Sequence, residues 1–397
     1  MDVVAVVHPT DYASFPILPE IEELKKFIKS DTELYMMFNQ MFTDDNGLPL
    51  APHVPNYETM FEIINKWLQE SPTYLEIDNS PTLILTHAMN THAGFSAFLN
   101  KELNRYFKRL FDRWGVYLTT PASANVLNAG KGGWFSKPAL AALMEYFPGL
   151  IFEEVFVSDP TAEHYGFTCW DSFFARHLRP GIRPVDAPEN PNIISAACES
   201  QCYNIATNVQ ERDSFWLKGQ SYSLRDMLAH SAYVPQFVGG TVYQGYLRVT
   251  GYHRWHAPAA GVIEKIVPVP GAYFCQSPAM LDSPISMEAP FDTRPIFNSL
   301  PFFAMVNARL LMFIEADNPR IGLYCFIAIG MQEISTAEPT VKEGQHVERG
   351  EELGTFHFGG STDVLVLRPE TNVQFLIKPG DAVKVRGALG KVLCAAS

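Results

Sequence analysis

The stretch LGTFHFGGSTDVLVL, residues 353–367, places two glycines, a serine and a threonine between two short runs of β-forming residues. Such runs predict two strands, and glycine with serine at 359–362 is typical of a tight hairpin turn. The same residues also fit a self-cleavage site. The Ser361 hydroxyl can attack the carbonyl of Gly360, where no Cβ blocks the approach. Elimination and hydrolysis would then leave residue 361 as an N-terminal pyruvoyl group.

Histidines form the second candidate, in the stretch YHRWHAP at residues 252–258. His253 and His256 have the spacing of a metal pair on a helix, but the proline and the β-like flanks predict a strand end or a loop. Two interpretations stay open. They are structural histidines beside Trp255, or one is a general base for the Ser361 hydroxyl and the other a proton donor.

A third candidate is Glu199, in the stretch SAACES at residues 195–200. A carboxylate can orient a histidine, as it does in Ser-His-acid sites. A surface glutamate in a loop is the plainer interpretation of this residue taken alone.

The first part of the chain has helical periodicity, and the part after about residue 243 alternates short β-rich runs with turn residues. The predicted helices are one that begins at Pro19, a second over 57–69 and a third over 95–114. The predicted strands are 246–250, 262–267, 309–315, 323–329, 353–358, 364–367 and 373–377.

A proline-rich stretch, residues 159–191, separates the two parts and contains a short helix predicted over 170–178. We therefore expect an α+β protein. It would have a helical N-terminal domain over residues 1–158 and a β-rich catalytic domain over residues 159–397.

The composition is that of a large globular chain. Of its 397 residues, 47% are hydrophobic and 18% are charged, which is enough for a sizeable core without disulfide bonds. Lysine and arginine number 30 against 43 aspartates and glutamates, a net charge of −13. Nucleic-acid backbones and anionic lipid repel such a chain, so we expect neither as a partner.

Six scattered cysteines without a C-x-x-C pair predict free thiols in a reducing compartment. No second pair of Cys or His completes a zinc site near Cys198 and Cys202. The short apolar run in residues 1–9 lacks the basic flank of a signal peptide, and no apolar stretch has the length of a membrane helix. We expect a cytoplasmic protein that binds no metal.

Several stretches, in order along the chain, resemble the phosphatidylserine decarboxylase family. They are FTCWDSFFARHLRPGIRP at 167–184, KGQSYSL at 218–224, YHRWHAPAAG at 252–261 and GEELGTFHFGGST at 350–362. Two further stretches, NTHAGFSAF at 90–98 and FKRLFDRWG at 107–115, resemble the N-terminal region of the fungal L-tryptophan decarboxylases, whose second half is similar to that family. With them, the resemblance spans most of the chain.

The resemblance implies a role for each candidate residue. Ser361 matches the serine that becomes the pyruvoyl group, and His256 matches the histidine that activates this serine. His253 matches the histidine assigned to decarboxylation. The aspartate of the family's S-P-x-D-G element is absent here, where the sequence is SAACE at 195–199. Glu199, one position further on, is the candidate substitute.

The resemblance further implies decarboxylation of an aromatic L-amino acid, with L-tryptophan and its product tryptamine as the expected pair. The pyruvoyl group derived from Ser361 would be the electron sink in place of pyridoxal phosphate, with no metal. Candidates for the substrate pocket are Trp255, Phe356 and Phe358, although each can equally belong to the core.

Two alternatives to this function stay open. One is a phosphatidylserine decarboxylase that acts at a membrane surface. The other is an uncleaved, non-catalytic relative that serves as a scaffold or binding protein, since a fold does not fix a function. The sequence leaves the oligomeric state open.

Overall fold

The computed structural model describes residues 15–44, 46–74, 85–212, 222–276, 294–331, 336–357 and 361–393. These residues form an α+β fold, as the sequence predicts. Helices dominate the first part of the chain and antiparallel strands the second.

The strands belong to one eight-stranded sheet and two three-stranded sheets. In chain order they are β1 (Ile193–Ser195), β2 (Ser200–Thr207), β3 (Thr241–Leu247), β4 (Arg254–His256), β5 (Gly261–Val269), β6 (Arg309–Ala316), β7 (Leu323–Gly330), β8 (Thr336–Pro339), β9 (His346–Val347), β10 (Glu352–His357), β11 (Ser361–Leu367), β12 (Val373–Phe375), β13 (Ala382–Val383) and β14 (Ala388–Val392). The large sheet has the order β13-β2-β3-β11-β7-β6-β5-β9, and the small sheets have the orders β1-β14-β12 and β4-β10-β8.

The helices are short, apart from one that spans 18 residues. They are α1 (Pro19–Ser30), α2 (Thr32–Gln40), α3 (Tyr57–Trp67), α4 (Thr86–Met89), α5 (His92–Phe98), α6 (Lys101–Leu118), α7 (Lys137–Leu143), α8 (Phe152–Val155), α9 (Trp170–Phe174), α10 (Leu224–Met227), α11 (Arg294–Asn298) and α12 (Leu300–Val306). Short 3-10 helices lie at Pro121–Val126, Glu163–Gly166 and Val234–Gln236.

The periodic patterns place the first helices correctly. Helix α1 begins at a proline, carries two glutamates in its first turn and buries Ile21, Leu24 and Ile28 on one face. Proline is tolerated at this position and acidic residues suit the positive end of the helix dipole. The strands predicted at 309–315 and 323–329 are β6 and β7, joined by a turn that contains Asn318 and Pro319.

Other predicted boundaries are wrong. The single helix predicted over 95–114 is two helices, because Asn100 leaves the helical conformation and its side chain accepts a hydrogen bond from the Leu103 N–H. This is a helix N-cap in the middle of an apolar stripe. The short helix predicted over 170–178 ends at Phe174. The β-rich part also begins earlier than residue 243, with β1 and β2, and it contains α11 and α12.

Two hydrophobic cores lie on opposite faces of the large sheet. The first core joins the helices to one sheet face, and Phe98 and Phe107 from the helical part contact Phe274 from the second part. The second core lies between the other face and the two small sheets. The division into domains at residues 158 and 159 stays a prediction.

Neither a membrane span nor a disulfide occurs in the described ranges. Within them, no helix is both long enough and apolar enough to cross a membrane. The five cysteines in these ranges are free and buried.

Candidate active site

Ser361 begins β11, which lies between β3 and β7 in the large sheet. All seven residues of this strand are buried. Side chains alternate along a strand, and the valines of β11 enter the first core while its leucines enter the second. Ser361 and Asp363 therefore share the face of the second core. The Ser361 Oγ is buried and has no hydrogen-bond partner in the described part of the chain.

Small residues flank Ser361 and Asp363 in the neighbouring strands. Ser361 pairs with Gly330 of β7, and Asp363 lies between Gly245 of β3 and Ala328 of β7. Gly360 and Phe358, which precede the strand, lie outside the described residues. Asp363 therefore has small residues in both neighbouring strands, whereas Ser361 has Gly330 on one side and the buried Leu247 of β3 on the other.

His256 lies at the end of β4 and contacts three groups. Its Nε2 lies 3.0 Å from the Tyr252 hydroxyl, and its Nδ1 lies 3.1 Å from the Gly350 carbonyl and 3.2 Å from Arg386 Nη2. A carbonyl only accepts and a guanidinium only donates, so Nδ1 cannot hydrogen-bond to both; in the pairing with Gly350, Nδ1 carries the hydrogen and Nε2 is the basic nitrogen. Burial, with Arg386 next in effect, lowers the pKa of His256 to about 3. The imidazole is therefore neutral near pH 7 and can accept a proton.

His253 is fully buried between aromatic and cationic neighbours. Its ring stacks on Phe174 with a centroid distance of 4.0 Å. Burial and the nearby Arg176 hold its pKa well below the usual value, so this imidazole is also neutral. Neither ring nitrogen makes a hydrogen bond of normal geometry among the described residues, although the nearby backbone of Gly251 and Arg248 partly offsets the fall in pKa.

The region of α9 holds both halves of the predicted site. Arg176 donates to the Gly251 carbonyl at 2.7 Å, just before the histidine motif, and Arg254 Nε donates to the Ala175 carbonyl at 2.8 Å. Asp171 in α9 pairs with His357 Nδ1 at 2.9 Å. His357 is the last residue of β10 and lies four residues before Ser361. The residues of and just after α9 therefore contact both β4, which carries His256, and β10, which leads to Ser361.

Glu199 does not orient His256 in this structure, and that expectation is corrected. Its carboxylate is fully buried and forms an ion pair with Arg183, whose Nε lies 2.9 Å from Oε2. It also accepts a hydrogen bond from the Val385 N–H at 3.0 Å. A buried carboxylate needs such compensation, and the arginine and the amide supply it. The group that faces His256 Nδ1 is instead the backbone carbonyl of Gly350.

Two of the three predicted pocket residues are packed in the second core. Trp255 and Phe356 are 0% and 1% exposed, and the Trp255 ring lies 5.3 Å from that of Phe326. This is the plainer of the two alternatives that the sequence allows. Phe358 is the residue of this set that lies outside the described ranges.

Sequence reasoning missed Asp363 and Tyr252. Asp363 is 1% exposed, and burial raises its pKa to about 7. The signal was present, since Asp363 is a charged residue at the head of the otherwise apolar run DVLVL. Tyr252 is part of the quoted histidine motif, but its contact with His256 follows from the chain reversal before β4 and not from spacing.

Cys198 connects these groups in space. By the resemblance, it occupies the position of the family's aspartate. The carbonyl of the preceding residue, Ala197, accepts a hydrogen bond from the backbone N–H of His256 at 2.9 Å. Burial, then the charges of Asp363 and Glu199, raise the pKa of the Cys198 thiol well above its usual value. Asp363 therefore lies near this thiol, and the backbone just before Cys198 is hydrogen-bonded to β4 at His256.

No group of three or more His, Cys, Asp or Glu side chains within the described ranges is arranged to hold a metal ion. The candidate groups that the structure describes are the Ser361 hydroxyl, the neutral imidazoles of His253 and His256, and the buried Asp363 carboxyl group.

A family model described as phosphatidylserine decarboxylase matches residues 170–391, and a second phosphatidylserine decarboxylase model matches residues 18–143. The chain belongs to the phosphatidylserine decarboxylase family. The first match contains β4, β10 and β11, and with them every predicted catalytic residue.

Its relatives include two L-tryptophan decarboxylases. That of Psilocybe cubensis is 42% identical over 384 residues, which are 94% of this chain and 86% of the relative. A decarboxylase of Amanita muscaria named iboD is 46% identical over 316 residues, 78% of this chain and 90% of the relative. The phosphatidylserine decarboxylase proenzyme 3 of Schizosaccharomyces pombe is 29% identical over 55% of this chain and 22% of its own length.

Proposed function

We propose that this protein is a pyruvoyl-dependent L-tryptophan decarboxylase that becomes active after self-cleavage between Gly360 and Ser361. The observation that carries the proposal is similarity along the whole chain. The L-tryptophan decarboxylases of Psilocybe cubensis and Psilocybe cyanescens match 94% and 95% of it at 42% identity. The phosphatidylserine decarboxylase of Schizosaccharomyces pombe matches about half of it.

The surroundings of residue 361 fit a serine that is converted to a pyruvoyl group. Its hydroxyl is buried and has no hydrogen-bond partner among the residues that the structure describes, and the facing Gly330 adds no side chain. The pyruvoyl group supplies a ketone that withdraws electrons from the substrate as carbon dioxide leaves. Decarboxylases of this kind need no pyridoxal phosphate.

The two histidines would divide the work of proton transfer. His256, with Nε2 as its basic nitrogen, would accept the Ser361 proton during self-cleavage, and Tyr252 at 3.0 Å would fix the ring or relay the proton. No side chain among the described residues hydrogen-bonds to the nitrogens of His253, which would return a proton to the substrate carbon after carbon dioxide leaves. Its stacking on Phe174 holds the ring in one plane.

The substrate is a free amino acid, and this fits a cytoplasmic enzyme without a nucleic-acid or membrane partner. The net charge of −13 supports the absence of such partners, since a chain this acidic is repelled by nucleic-acid backbones and by anionic membranes. A different amino acid is the second candidate. The Amanita muscaria relative is 46% identical, and its name specifies no substrate.

The test is a decarboxylation assay of the purified protein without added pyridoxal phosphate. L-Tryptophan, L-phenylalanine, L-tyrosine, L-glutamate and phosphatidylserine vesicles are compared at equal concentration, with Ser361→Ala as the matched inactive control. We expect tryptamine as the main product and its loss after treatment with phenylhydrazine. Faster turnover of another amino acid would replace the substrate, and faster release of phosphatidylethanolamine would replace the function.

A further inference from the structure

We propose that Asp363 is a catalytic base of the decarboxylation, which binds the α-ammonium group of the amino-acid substrate beside residue 361 and accepts its proton. This inference rests on the proposed function. It assigns the recognition of the amine, for which the sequence motifs offer no residue.

The position of Asp363 on β11 gives it access to a substrate at residue 361. The two residues are alternate members of one strand, so both side chains leave the same face of the sheet. Their Cα atoms are about 7 Å apart at the usual rise of a strand. With the Asp363 carboxyl group at one end of this interval and the reacting carbon of residue 361 at the other, the substrate nitrogen fits between them.

The Asp363 carboxyl group lies over Gly245 and beside two hydroxyl groups. A Cβ on Gly245 would lie 2.4 Å from Asp363 Oδ1 and 2.7 Å from both Ser200 Oγ and Tyr243 OH. Glycine is therefore required opposite Asp363. Oδ1 itself has no hydrogen-bond partner among the described residues, although Ser200 and Tyr243 contact each other at 3.2 Å.

No cation in the described part of the chain forms an ion pair with Asp363, and burial is the main influence on its charge. A buried carboxyl oxygen without a hydrogen-bond partner is costly, and a catalytic role is one of the reasons for which native proteins retain such an atom. A substrate ammonium group would supply both the missing hydrogen-bond donor and the missing positive charge.

The proton balance of the step is simple. The ammonium group gives one proton to the Asp363 carboxylate, which becomes a carboxyl group, and the neutral nitrogen regains the lone pair that it needs to form a C–N bond. A charged pair becomes a neutral pair, which a buried site favours. No other reactant is required.

The acidities of the buried groups favour Asp363 over His256 for this transfer. The α-ammonium group of a free amino acid is less acidic than the Asp363 carboxyl group, whose pKa is about 7, so the proton transfer to Asp363 is uphill. Transfer to His256, whose pKa is about 3, would be less favourable by a further factor of roughly 10⁴. The titratable groups that face Asp363 are Cys198, Cys202 and Tyr243, whose pKa values are all raised by burial, so they stay neutral.

The test compares wild-type protein with Asp363→Asn, which keeps the shape and removes the base. Self-cleavage is followed by intact mass. The ketone is probed with hydroxylamine, which is already unprotonated at pH 7. Amine capture is followed as covalent attachment of L-tryptophan to the small chain in the presence of sodium cyanoborohydride. Cys202→Ala, which alters the same row of the sheet without removing the carboxyl group, is the control.

We expect Asp363→Asn to cleave and to react with hydroxylamine like the wild type, but to attach L-tryptophan at pH 7 about 100-fold more slowly. The deficit should shrink as the pH rises to 9, because free amine then becomes available. Cys202→Ala should behave like the wild type. A purely structural role of Asp363 would not produce a deficit that depends on both the nucleophile and the pH.

Three outcomes would contradict the proposal in different ways. Equal attachment of L-tryptophan by wild type and Asp363→Asn at pH 7 overturns the role of Asp363 alone. A folded Asp363→Asn protein that stays uncut overturns it in favour of a role in maturation. If the wild type reacts with hydroxylamine but attaches no L-tryptophan, the proposed substrate is wrong, and the proposed role of Asp363 toward that substrate is wrong as well.

If Asp363→Asn does not fold, the pH dependence of the wild-type reactions still tests the proposal. Attachment of L-tryptophan should then depend on a group with a pKa near 7 in addition to the substrate amine, while the hydroxylamine reaction should not. A wild-type profile that follows the substrate amine alone overturns the proposal.

Discussion

His256 and His253 are three residues apart and equally buried, yet their surroundings differ. His256 is fixed at both nitrogens by Tyr252, Gly350 and Arg386. His253 stacks on the ring of Phe174 near Arg176, and no side chain among the described residues hydrogen-bonds to its nitrogens. A fixed base suits a reaction within the chain, and an open one suits a proton that goes to a substrate.

Substitution should separate these two roles. His256→Ala is expected to remain an uncut precursor, whereas His253→Ala should cleave and then decarboxylate about 10²–10⁴ times more slowly than the wild type. A denaturing gel and a tryptamine assay on the same preparations measure the two steps. Equal cleavage and equal turnover in both variants would refute the division.

A substitution of Glu199 tests whether this residue contributes to the stability of the fold or to self-cleavage. In Glu199→Gln the partly buried Arg183, whose side chain is 14% exposed, loses its ionic partner, and we expect the free energy of unfolding to fall by about 3 kcal/mol at most while self-cleavage continues. Chemical denaturation in the uncut Ser361→Ala background gives the first quantity, and a gel gives the second. The double variant Arg183→Met with Glu199→Gln should recover part of the loss. Loss of cleavage at unchanged stability would restore Glu199 as the residue that orients His256.

Asp363 should make stability fall as the pH rises. Its folded pKa of about 7 lies above the usual value of 3.8, so between these values the native state holds a proton that the unfolded state releases. Each pKa unit corresponds to about 1.4 kcal/mol. In the Ser361→Ala background, Asp363→Asn should therefore be more stable than Asp363 at pH 8, by about 4 kcal/mol at most, with a smaller gain at pH 5. A gain that is equal at both pH values would show that Asp363 does not titrate in this range.

At the scale of elements, the break between α5 and α6 shows how one residue organises a helix pair. Asn104 is buried in α6, and its amide donates to the carbonyls of Phe98 and Asn100 across the break. Its Oδ1 accepts the Tyr273 N–H at 3.1 Å, which joins the helical part to the second part of the chain. The side chain satisfies backbone groups of two segments far apart in sequence.

Removal of this side chain should destabilise the protein more than removal of the cap itself. Asn104→Ala leaves the buried Tyr273 N–H unpaired, and we expect a loss of about 2–3 kcal/mol in the free energy of unfolding. Asn100→Ala, the matched control in the same turn, should lose about 1 kcal/mol. Denaturant unfolding in the Ser361→Ala background measures both, and a larger loss for Asn100→Ala would contradict the assigned role.

Sequence patterns predicted elements where the information is local. The stripe of α1 and the apolar run at 364–367 follow from neighbouring residues, and both were placed correctly, although β11 begins three residues earlier, at Ser361, where a turn was predicted. The break at Asn100 was missed because the apolar stripe continues through it. An asparagine that caps a helix cannot be distinguished in the sequence from one that is exposed on a helix surface. Strand β1 is three residues long, too short for a period to show.

At the scale of the whole molecule, the parts of the site that the sequence predicts are those carried by short motifs. Ser361, His256 and His253 belong to such motifs. The contacts of His256 with Gly350 and Arg386 join residues 94 and 130 positions apart, and no spacing rule predicts them. The partner of Glu199 was missed for the same reason. Which carboxylate meets which cation is decided by the packing of the two cores.

The central claim is that residue 361 becomes the reactive group, and intact mass spectrometry of the freshly purified protein tests it most directly. We predict two chains, residues 1–360 and residues 361–397. The smaller one should be lighter than a serine-initiated chain by the mass of ammonia, and it should resist N-terminal sequencing. Ser361→Ala should give one chain. A single uncut wild-type chain after prolonged incubation, or a small chain that begins with an unmodified serine, would contradict the account.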